Sequence, residues 1–399
     1  AHIQWRQVRQ RATLGAMAAR RCFRMSITFN PSPSPSLGVE VELQLVDKVT
    51  RQLTPLGPDV LRALEGNPHV KPELLQSTIE LNTGVCVDVK EVQRDLEAVL
   101  GEVRLVCDSL GCNMISAGTH PFSTWPKQAI TEEERYRDLV ERVQWPAQRL
   151  MIFGLHVHVG MDSAEKSVAV FNALTGCIPQ LLALSASSPF WQGNDTGLAS
   201  VRSKVFEALP TAGLPETLVN WGEFQGFMNT LITAGAIESI REVWWDIRPH
   251  PGFGTVELRV CDGLPTMREL LAVVAFTHCA TVWLAREYEE GRLEPLDRHW
   301  VISENKWRAA RWGLDAQMIL DDQGTQMRNS ERIGEMLAKL RSLDEELNCV
   351  EELAGVEEIL EFGPSYQRQR KIYKQTGRLE PVVDALVEEW RTNERVTSV

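Results

Sequence analysis

Gly38-Val-Glu-Val-Glu-Leu43 and Gly154-Leu-His-Val-His-Val-Gly160 alternate small or aliphatic residues with glutamate or histidine. Thr78-Ile-Glu-Leu-Asn82 and Thr255-Val-Glu-Leu-Arg-Val260 repeat the pattern. Because successive side chains of a β-strand point to opposite faces, each stretch is predicted to be a strand with one apolar face. The positions expected to face a core are Val39, Val41, Ile79, Leu81, Leu155, Val157, Val159, Val256, Leu258 and Val260.

The opposite faces of these strands carry almost only Glu, His and Arg. Their members are Glu40, Glu42, Glu80, His156, His158, Glu257 and Arg259. An antiparallel sheet often wets one face, so alternation alone predicts only outward-pointing polar residues. A solvated face is usually a mixture rich in Thr, Ser and Lys, and this composition favours a functional face instead. Like charges side by side cost stability unless a cation neutralises them, so the pattern predicts a surface for divalent cations and a polyphosphate.

Glutamate oxygens are the hard ligands that Mg²⁺ prefers, which makes the Glu40 and Glu42 pair a candidate metal site. Glu73 precedes Glu80 by seven residues and could reach the same ion, although a loop carboxylate fits this spacing equally well. The His156-x-His158 pair fits hydrogen bonding to phosphate, or a mixed Glu/His site for magnesium or manganese. Zinc is the weaker alternative, because the other histidines form no His-Glu-x-x-His pattern.

Residues 244–259 combine two arginines, a carboxylate and a glycine-rich turn just before a strand. Arginine makes bidentate contacts to phosphate and carboxylate, so Arg248 and Arg259 are predicted to bind an acidic substrate or a transferring phosphoryl group. An ion pair within the sheet is the structural alternative for Arg259. The sequence has no P-loop, dinucleotide fingerprint or Gly-x-Ser-x-Gly elbow. A bound nucleotide would therefore be held by metal ions and arginines on the sheet.

Composition narrows the class of protein. The net charge of −12 and the lack of a basic stretch in the body argue against nucleic-acid binding. Eight cysteines without a Cys-x-x-Cys pair indicate a reducing, cytoplasmic location. The apolar run 270–285 is too short to span a bilayer and predicts a buried helix, so no membrane partner is expected.

The N-terminal 39 residues differ from the rest, with six arginines and no Lys, Asp or Glu. Such a segment resembles an organellar transit peptide, or it reflects an upstream start with Met25 as the true one. Residues 1–36 are predicted to be a disordered, non-catalytic leader that ends in the extended linker 31–36. Residues 37–399 are predicted to form one domain.

Segments with helical periodicity do not alternate regularly with the predicted strands along the chain. This order favours an α+β fold over a doubly wound parallel one. The longest predicted helices cover residues 87–110, 164–187, 215–235 and 267–290. Two helices are expected within residues 330–361 and a last one over 381–391.

Six segments resemble, in order, the bacterial carboxylate–amine ligases of the glutamate–cysteine ligase type 2 family. They are residues 37–46, 73–86, 153–160, 188–202, 246–262 and 304–311. The resemblance covers about residues 37 to 380 and implies a glutamine-synthetase-like fold, in which an antiparallel sheet flanked by helices forms a funnel for ATP, magnesium and glutamate. It also implies an ATP-dependent ligase that joins a carboxylate, the γ-carboxylate of glutamate by default, to an amine, by default cysteine, through an acyl phosphate. A homodimer or another small homo-oligomer is expected.

The resemblance also implies roles for individual residues. The implied metal ligands are Glu40, Glu42, Glu73, Glu80, Glu257 and one of the two histidines, for which we choose His158. Arg259 would lie beside the transferring phosphoryl group, and Arg248 near nucleotide or substrate. The remaining substrate or nucleotide contacts would be His156, Arg202, Asn305 and Arg308. Other carboxylate–amine pairs, a zinc amidohydrolase and a non-catalytic binding module stay open as alternatives.

Overall fold

The computed structural model describes residues 27–33, 35–294 and 297–398. Its strands are β1 (Leu37–Asp47), β2 (Val70–Pro72), β3 (Thr78–Asn82), β4 (Cys112–Ile115), β5 (Gly154–Gly160), β6 (Phe190–Trp191), β7 (Asn194–Asp195), β8 (Ile247–His250), β9 (Thr255–Asp262), β10 (Gln317–Ile319) and β11 (Gln326–Arg328). Seven of them form one antiparallel sheet in the order β2-β3-β1-β5-β9-β8, with β4 paired to the C-terminal half of β1. The strands β6-β7 and β10-β11 form two small ribbons.

Helices surround this sheet. They are α1 (Gly57–Ala63), α2 (Val89–Leu110), α3 (Glu134–Val143), α4 (Trp145–Gln148), α5 (Ala164–Thr175), α6 (Ile178–Ser185), α7 (Arg202–Phe206), α8 (Trp221–Thr233), α9 (Met267–Glu289), α10 (His299–Trp312), α11 (Asn329–Leu340), α12 (Val350–Phe362), α13 (Ser365–Thr376) and α14 (Glu380–Thr392). The boundaries of α2 show why the sequence folds this way locally. The Asp88 side chain accepts from the backbone N–H of Glu91 at the start, and Gly111 adopts the left-handed conformation at the end.

The aliphatic face of the sheet forms the main core. All ten residues predicted to face it are at most 1% exposed. The helices α2, α5, α6 and α9 pack against this face. Burying apolar area on one side of the sheet fixes which side every alternate residue takes, because a slip of one residue would exchange the two faces. The predicted α+β fold with a helix-flanked antiparallel sheet is confirmed.

Two predicted helices differ from the structure. Residues 164–187 form α5 and α6, bent by 63°, since the chain turns at Gly176 and Cys177 and restarts with Pro179 in the first turn of α6. The predicted helix 215–235 begins only at Trp221, where Asn220 caps it. The helix α13 was not predicted. By length and composition α9 could cross a membrane, but 89% of its apolar window is buried in the domain, as expected of a core helix.

Part of the predicted leader is described, and it lies against the domain. The backbone N–H of Asn30 donates to the Pro251 carbonyl, and that of Ser32 donates to the Met161 carbonyl, each at 3.0 Å. Gly254, with φ +66°, lets the chain pass close by, because a Cβ there would lie 1.8 Å from the Asn30 carbonyl oxygen. Residues 1–26, which carry all six arginines of the leader, lie outside the described residues.

A buried ion cluster joins the C-terminal helices to α9. Arg368 donates to Glu269 at 2.8 and 2.9 Å and to Glu389 at 2.7 Å, and all three side chains are at most 4% exposed. Arg395 donates to Glu269 at 3.0 Å. Sequence alone cannot show such a cluster, because its members come from α9, α13, α14 and the tail.

Removing one partner of such a cluster leaves an uncompensated buried charge. We expect Arg368→Met to lower the free energy of unfolding by about 3–5 kcal/mol. The matched control is Arg370→Met on the same helix, whose partner Asp195 is more exposed, and it should cost about 1 kcal/mol or less. Urea unfolding followed by circular dichroism measures both. Equal losses for the two variants would contradict the assignment of this cluster.

Candidate active site

The strand register brings the predicted charged residues into one row. Glu40 on β1 faces His156 on β5, and Glu42 faces Glu80 on β3. On the other side of β5, His158 faces Glu257 on β9. Carboxylates from β1, β3 and β9 and histidines from β5 therefore meet on the side of the sheet opposite the core.

The centre of the row is Glu40 between the two histidines. Glu40 Oε2 lies 2.9 Å from His156 Nδ1, and its Oε1 lies 3.5 Å from His158 Nε2. Burial alone would raise the pKa of Glu40, but the hydrogen bonds with both histidines outweigh it and hold that pKa far below the usual range. Burial and the nearby Arg259 guanidinium lower the pKa of His156 to about 4. Glu40 is therefore ionised and His156 neutral, so Nδ1–H donates to Glu40 and the Nε2 lone pair is free.

One end of the row is a group of three carboxylates. Oxygen atoms of Glu42, Glu73 and Glu80 lie within 4.8 Å of one another. Burial raises the pKa of all three groups, and mutual repulsion adds to this for Glu42, whose pKa is about 7, and for Glu80. Glu42 also accepts from the backbone N–H of Gly154. Three carboxylates this close together retain their protons to higher pH than isolated carboxylates do.

The other end is an ion cluster. Arg248 donates to Glu257 through Nε at 2.7 Å and Nη2 at 3.1 Å, and Arg259 donates to the same carboxylate. Burial would raise the pKa of Glu257, but the two guanidinium groups hold it well below the usual range. The predicted ion pair and the predicted phosphoryl contact are compatible, because one carboxylate cannot use all ten N–H donors of two arginines.

Arg259 sits in an irregularity of the sheet. Pairing between β5 and β9 advances from Val157 with Leu258 to Leu155 with Cys261, so β9 has one extra residue at this point. β-Bulges of this kind re-aim side chains and are frequent beside active sites. Arg202 fills the gap in the ladder, donating to the carbonyls of Arg259 and Val260 at 3.2 Å each.

The row fits divalent cations. Besides the carboxylate trio, two mixed groups place their ligand atoms within 4.8 Å of one another: Glu40 with Glu80 and His156, and Glu40 with His158 and Glu257. The Nε2 atom of His156 is buried without a hydrogen-bond partner in the part of the chain described, and that of His158 is buried 3.5 Å from Glu40 Oε1. Oxygen-rich sites with one imidazole suit Mg²⁺ or Mn²⁺ better than zinc.

The family pattern described as "Glutamate-cysteine ligase family 2(GCS2)" matches residues 36–385. The chain is 48% identical over 373 residues to "Putative glutamate--cysteine ligase 2" of Thermobifida fusca, covering 92% of this chain and 94% of the relative. It is 49% identical over 381 residues to "Putative glutamate--cysteine ligase 2-1" of Frankia alni, covering 94% and 100%.

The chain belongs to glutamate–cysteine ligase family 2. The resemblance found in the sequence is confirmed, and with it the class of enzyme, an ATP-dependent carboxylate–amine ligase. The zinc amidohydrolase alternative is therefore not supported.

Solved structures confirm the fold of this family 2 member. A glutamate–cysteine ligase from Francisella tularensis, crystallised with AMP, superposes with a TM-score of 0.67 at 13% identity, covering 92% of this chain and 90% of that chain. A bifunctional glutathione synthetase from Pasteurella multocida superposes with a TM-score of 0.63 at 16% identity, covering 90% of this chain and 51% of that chain.

The structure brings some of the predicted site residues together and leaves others with partners elsewhere. It brings the acidic residues, both histidines, Arg248 and Arg259 together. Arg202 lies on the same side of the sheet as the row, near Glu42, and packs on Gly154 so closely that a Cβ there would lie 2.2 Å from Nη2. Asn305 instead pairs with the backbone of Ile319 at 2.8 and 2.9 Å. The predicted substrate roles of these two residues and of Arg308 stay predictions.

Arg308 and several residues that sequence reasoning missed have clear partners. Arg308 Nη1 donates to the Gln317 carbonyl at 2.8 Å, on the ribbon that follows α10. Thr255 Oγ1 lies 3.0 Å from Nδ1 of His158 and orients its ring. Asp246 and Lys306 form a buried ion pair at 2.5 Å behind β9. Both residues lie within the family segments, but their pairing could not be inferred from spacing.

The raised pKa values of the carboxylate trio predict a pH-dependent stability. Glu42, Glu73 and Glu80 keep protons in the folded protein that they lose in the unfolded chain. Unfolding therefore releases protons from these three groups, and their contribution to the stability of the cation-free ligase should fall as pH rises from about 5 to 7. Buried histidines such as His156, whose pKa is lowered, contribute with the opposite sign, so the effect of the trio is read from variants. Excess Mg²⁺ should stabilise the protein more at the upper end of this range, because the cation binds the ionised carboxylates.

Urea unfolding midpoints across this pH range, with a chelator and with Mg²⁺, measure the effect. In chelator, the stability of the wild type relative to Glu73→Gln should fall across this range. The stability relative to Glu357→Gln, a half-exposed carboxylate paired with Arg341, should not change with pH. A difference between wild type and Glu73→Gln that is independent of pH would contradict the assigned protonation.

Proposed function

We propose that this ligase uses ATP to phosphorylate a substrate carboxylate, the γ-carboxylate of glutamate, and then joins it to the amine of cysteine, releasing ADP and phosphate. The family name of its relatives supports glutamate and cysteine as the pair. A different carboxylate or amine on the same catalytic frame is the alternative. A cytoplasmic location and a small homo-oligomer stay predictions.

The observation that carries this proposal is the continuous row of charged groups on one face of the sheet. Its acidic end, with three carboxylates close together, suits divalent cations, and its opposite end presents two arginines. A nucleoside triphosphate and a dicarboxylic amino acid are both anionic. A surface that holds both of them needs positively charged side chains beside oxygen ligands for divalent cations. The two arginines and the carboxylates of the row offer this combination.

In the proposed mechanism, Glu40, Glu42, Glu73, Glu80, Glu257 and the two histidines hold the cations. A divalent cation, when bound, would offset the charge of the triphosphate and of the substrate carboxylate. Arg259 stabilises the negative charge on the phosphoryl group as it moves from ATP to the carboxylate oxygen. Arg248 fixes Glu257 and is itself held by the carbonyls of Ile240 and Val243 at 2.7 and 2.9 Å, so its role is to position.

The chain does little covalent work in this scheme. The acyl–phosphate bond forms as the bond between the γ-phosphorus and its bridging oxygen breaks, and ADP departs. The amine then attacks the acyl carbon, phosphate leaves, and an amide remains. Positioning and electrostatic stabilisation supply the rate enhancement, as in phosphoryl transfer generally.

Purified protein with ATP, Mg²⁺, glutamate and a panel of amines tests the proposal. ADP release should require both glutamate and an amine, with cysteine the best. Hydroxylamine in place of the amine should give the γ-glutamyl hydroxamate, because it captures the acyl phosphate. A different carboxylate giving faster release would favour the alternative pair. ADP release that depends on no carboxylate would overturn the ligase scheme, and no release at all would favour the binding module.

The site residues predict distinct defects. Arg259→Met should lower kcat by about 10²–10³-fold, the loss typical for a group that stabilises developing charge. Glu257→Gln should remove most activity, because it weakens cation binding and frees both arginines. Fluorescence thermal unfolding should show both variants folded, and Arg370→Met serves as a surface control that keeps full activity. Near-full turnover by Glu257→Gln would show that the metal assignment is wrong.

A further inference from the structure

A lysine that the proposed mechanism does not use is linked to the arginine end of the row through Asp246, the residue before β8. Lys306, on α10, has a side chain only 3% exposed. Its Nζ lies 2.5 Å from Asp246 Oδ2 and 2.6 Å from Glu207 Oε1. Glu207 has a second cation, Lys204, at 2.9 Å. Asp246, also buried, has Lys306 as its only ion-pair partner among the residues described.

Asp246 connects this lysine to Arg259. Its carbonyl accepts the backbone N–H of Arg259 at 2.7 Å, and its own N–H donates to the Gly213 carbonyl at 2.8 Å. On the other side of β9 the ladder is interrupted by the bulge, and Arg202 supplies the missing donors. The backbone of Arg259 is thus held by Asp246 on one side and by Arg202 on the other.

We propose that Lys306 is a positioning residue for the ligase reaction: by fixing Asp246, it sets where the bulge of β9 presents the Arg259 side chain. The inference rests on the proposed role of Arg259. It assigns to Lys306 of α10 an effect on Arg259 of β9 that passes through the backbone and needs no contact with substrate.

The burial of Lys306 supports a positional role. A buried ion pair is a poor source of stability, since desolvation offsets most of the attraction, and apolar residues in place of Lys306 and Asp246 would pack at least as well. What a buried pair provides is geometry, because an unpaired charge is costly and the two groups accept few alternative arrangements. At the bulge Arg259 has lost its regular pairing with β5 and keeps a backbone bond to Asp246 on the β8 side, so the position of Asp246 has a direct consequence for the site.

Lys306→Met tests the inference in the full-length protein. We expect kcat for ADP release to fall by about 100-fold, the size of effect that a displaced catalytic group produces. KM for ATP and for glutamate should change by less than about threefold, since an interaction used mainly in the transition state is lost. Lys306→Arg should recover part of kcat.

Lys166→Met is the matched control. Lys166 is also a buried lysine between two carboxylates, Asp162 at 2.6 Å and Glu289 at 2.5 Å, but it joins α9 to the start of α5. It should keep kcat within about twofold of the wild type while losing some stability, as expected of a purely structural pair.

The double variant Lys306→Met with Asp246→Asn separates position from charge. It removes the uncompensated carboxylate, and Glu207 keeps Lys204, so its urea midpoint should return towards that of the wild type. A kcat that stays low at this restored stability supports the proposal, and a kcat that recovers with stability overturns it. If the wild type itself shows no glutamate-dependent ADP release, the proposed function fails instead, and the two failures remain distinct.

Discussion

Charged side chains that leave bulk water must be neutralised within a few ångströms, and this requirement governs one whole face of the sheet. Glu257 meets it with two arginines, and Glu40 meets it with two histidines. Among the described residues, no arginine or lysine forms an ion pair with the trio at the other end, and burial drives the pKa values of the trio up. The row thus has one end whose charges are compensated within the protein and one end whose carboxylates fit a cation.

The apolar face of the sheet stabilises the strands that carry these charged groups. Helices α2, α5, α6 and α9 bury the aliphatic side chains of β1, β3, β5 and β9, so the strands cannot slip without exposing their core residues. Rigid strands hold functional groups more accurately than loops do. Among the described strands, the main sheet is irregular at the bulge beside Arg259. There the Arg202 side chain of α7 donates to two β9 carbonyls, and Lys306 of α10 pairs with the side chain of Asp246.

This construction explains why the family segments contain more than the residues that can touch a substrate. Arg202 and Lys306 come from two such segments: Arg202 donates to two β9 carbonyls, and Lys306 pairs with Asp246, whose carbonyl bonds Arg259. The proposed chemistry needs Arg259 within reach of a phosphoryl group, and a bulge offers several backbone conformations unless something selects one. In this protein, buried ionic contacts make the selection, at the cost of desolvating several charges.

The sequence by itself determined the strands, their apolar and charged faces and the ligase family, because a period of two and a family pattern are both local properties of the chain. Glu40, Glu257 and Arg259 could be picked from it for the same reason. Only the tertiary structure decided which carboxylate each histidine meets and that β9 bulges. It also decided that Asn305 bonds the backbone of Ile319 while its neighbour Lys306 pairs with Asp246. These depend on strand order and on contacts between segments far apart in the chain, which no local pattern encodes.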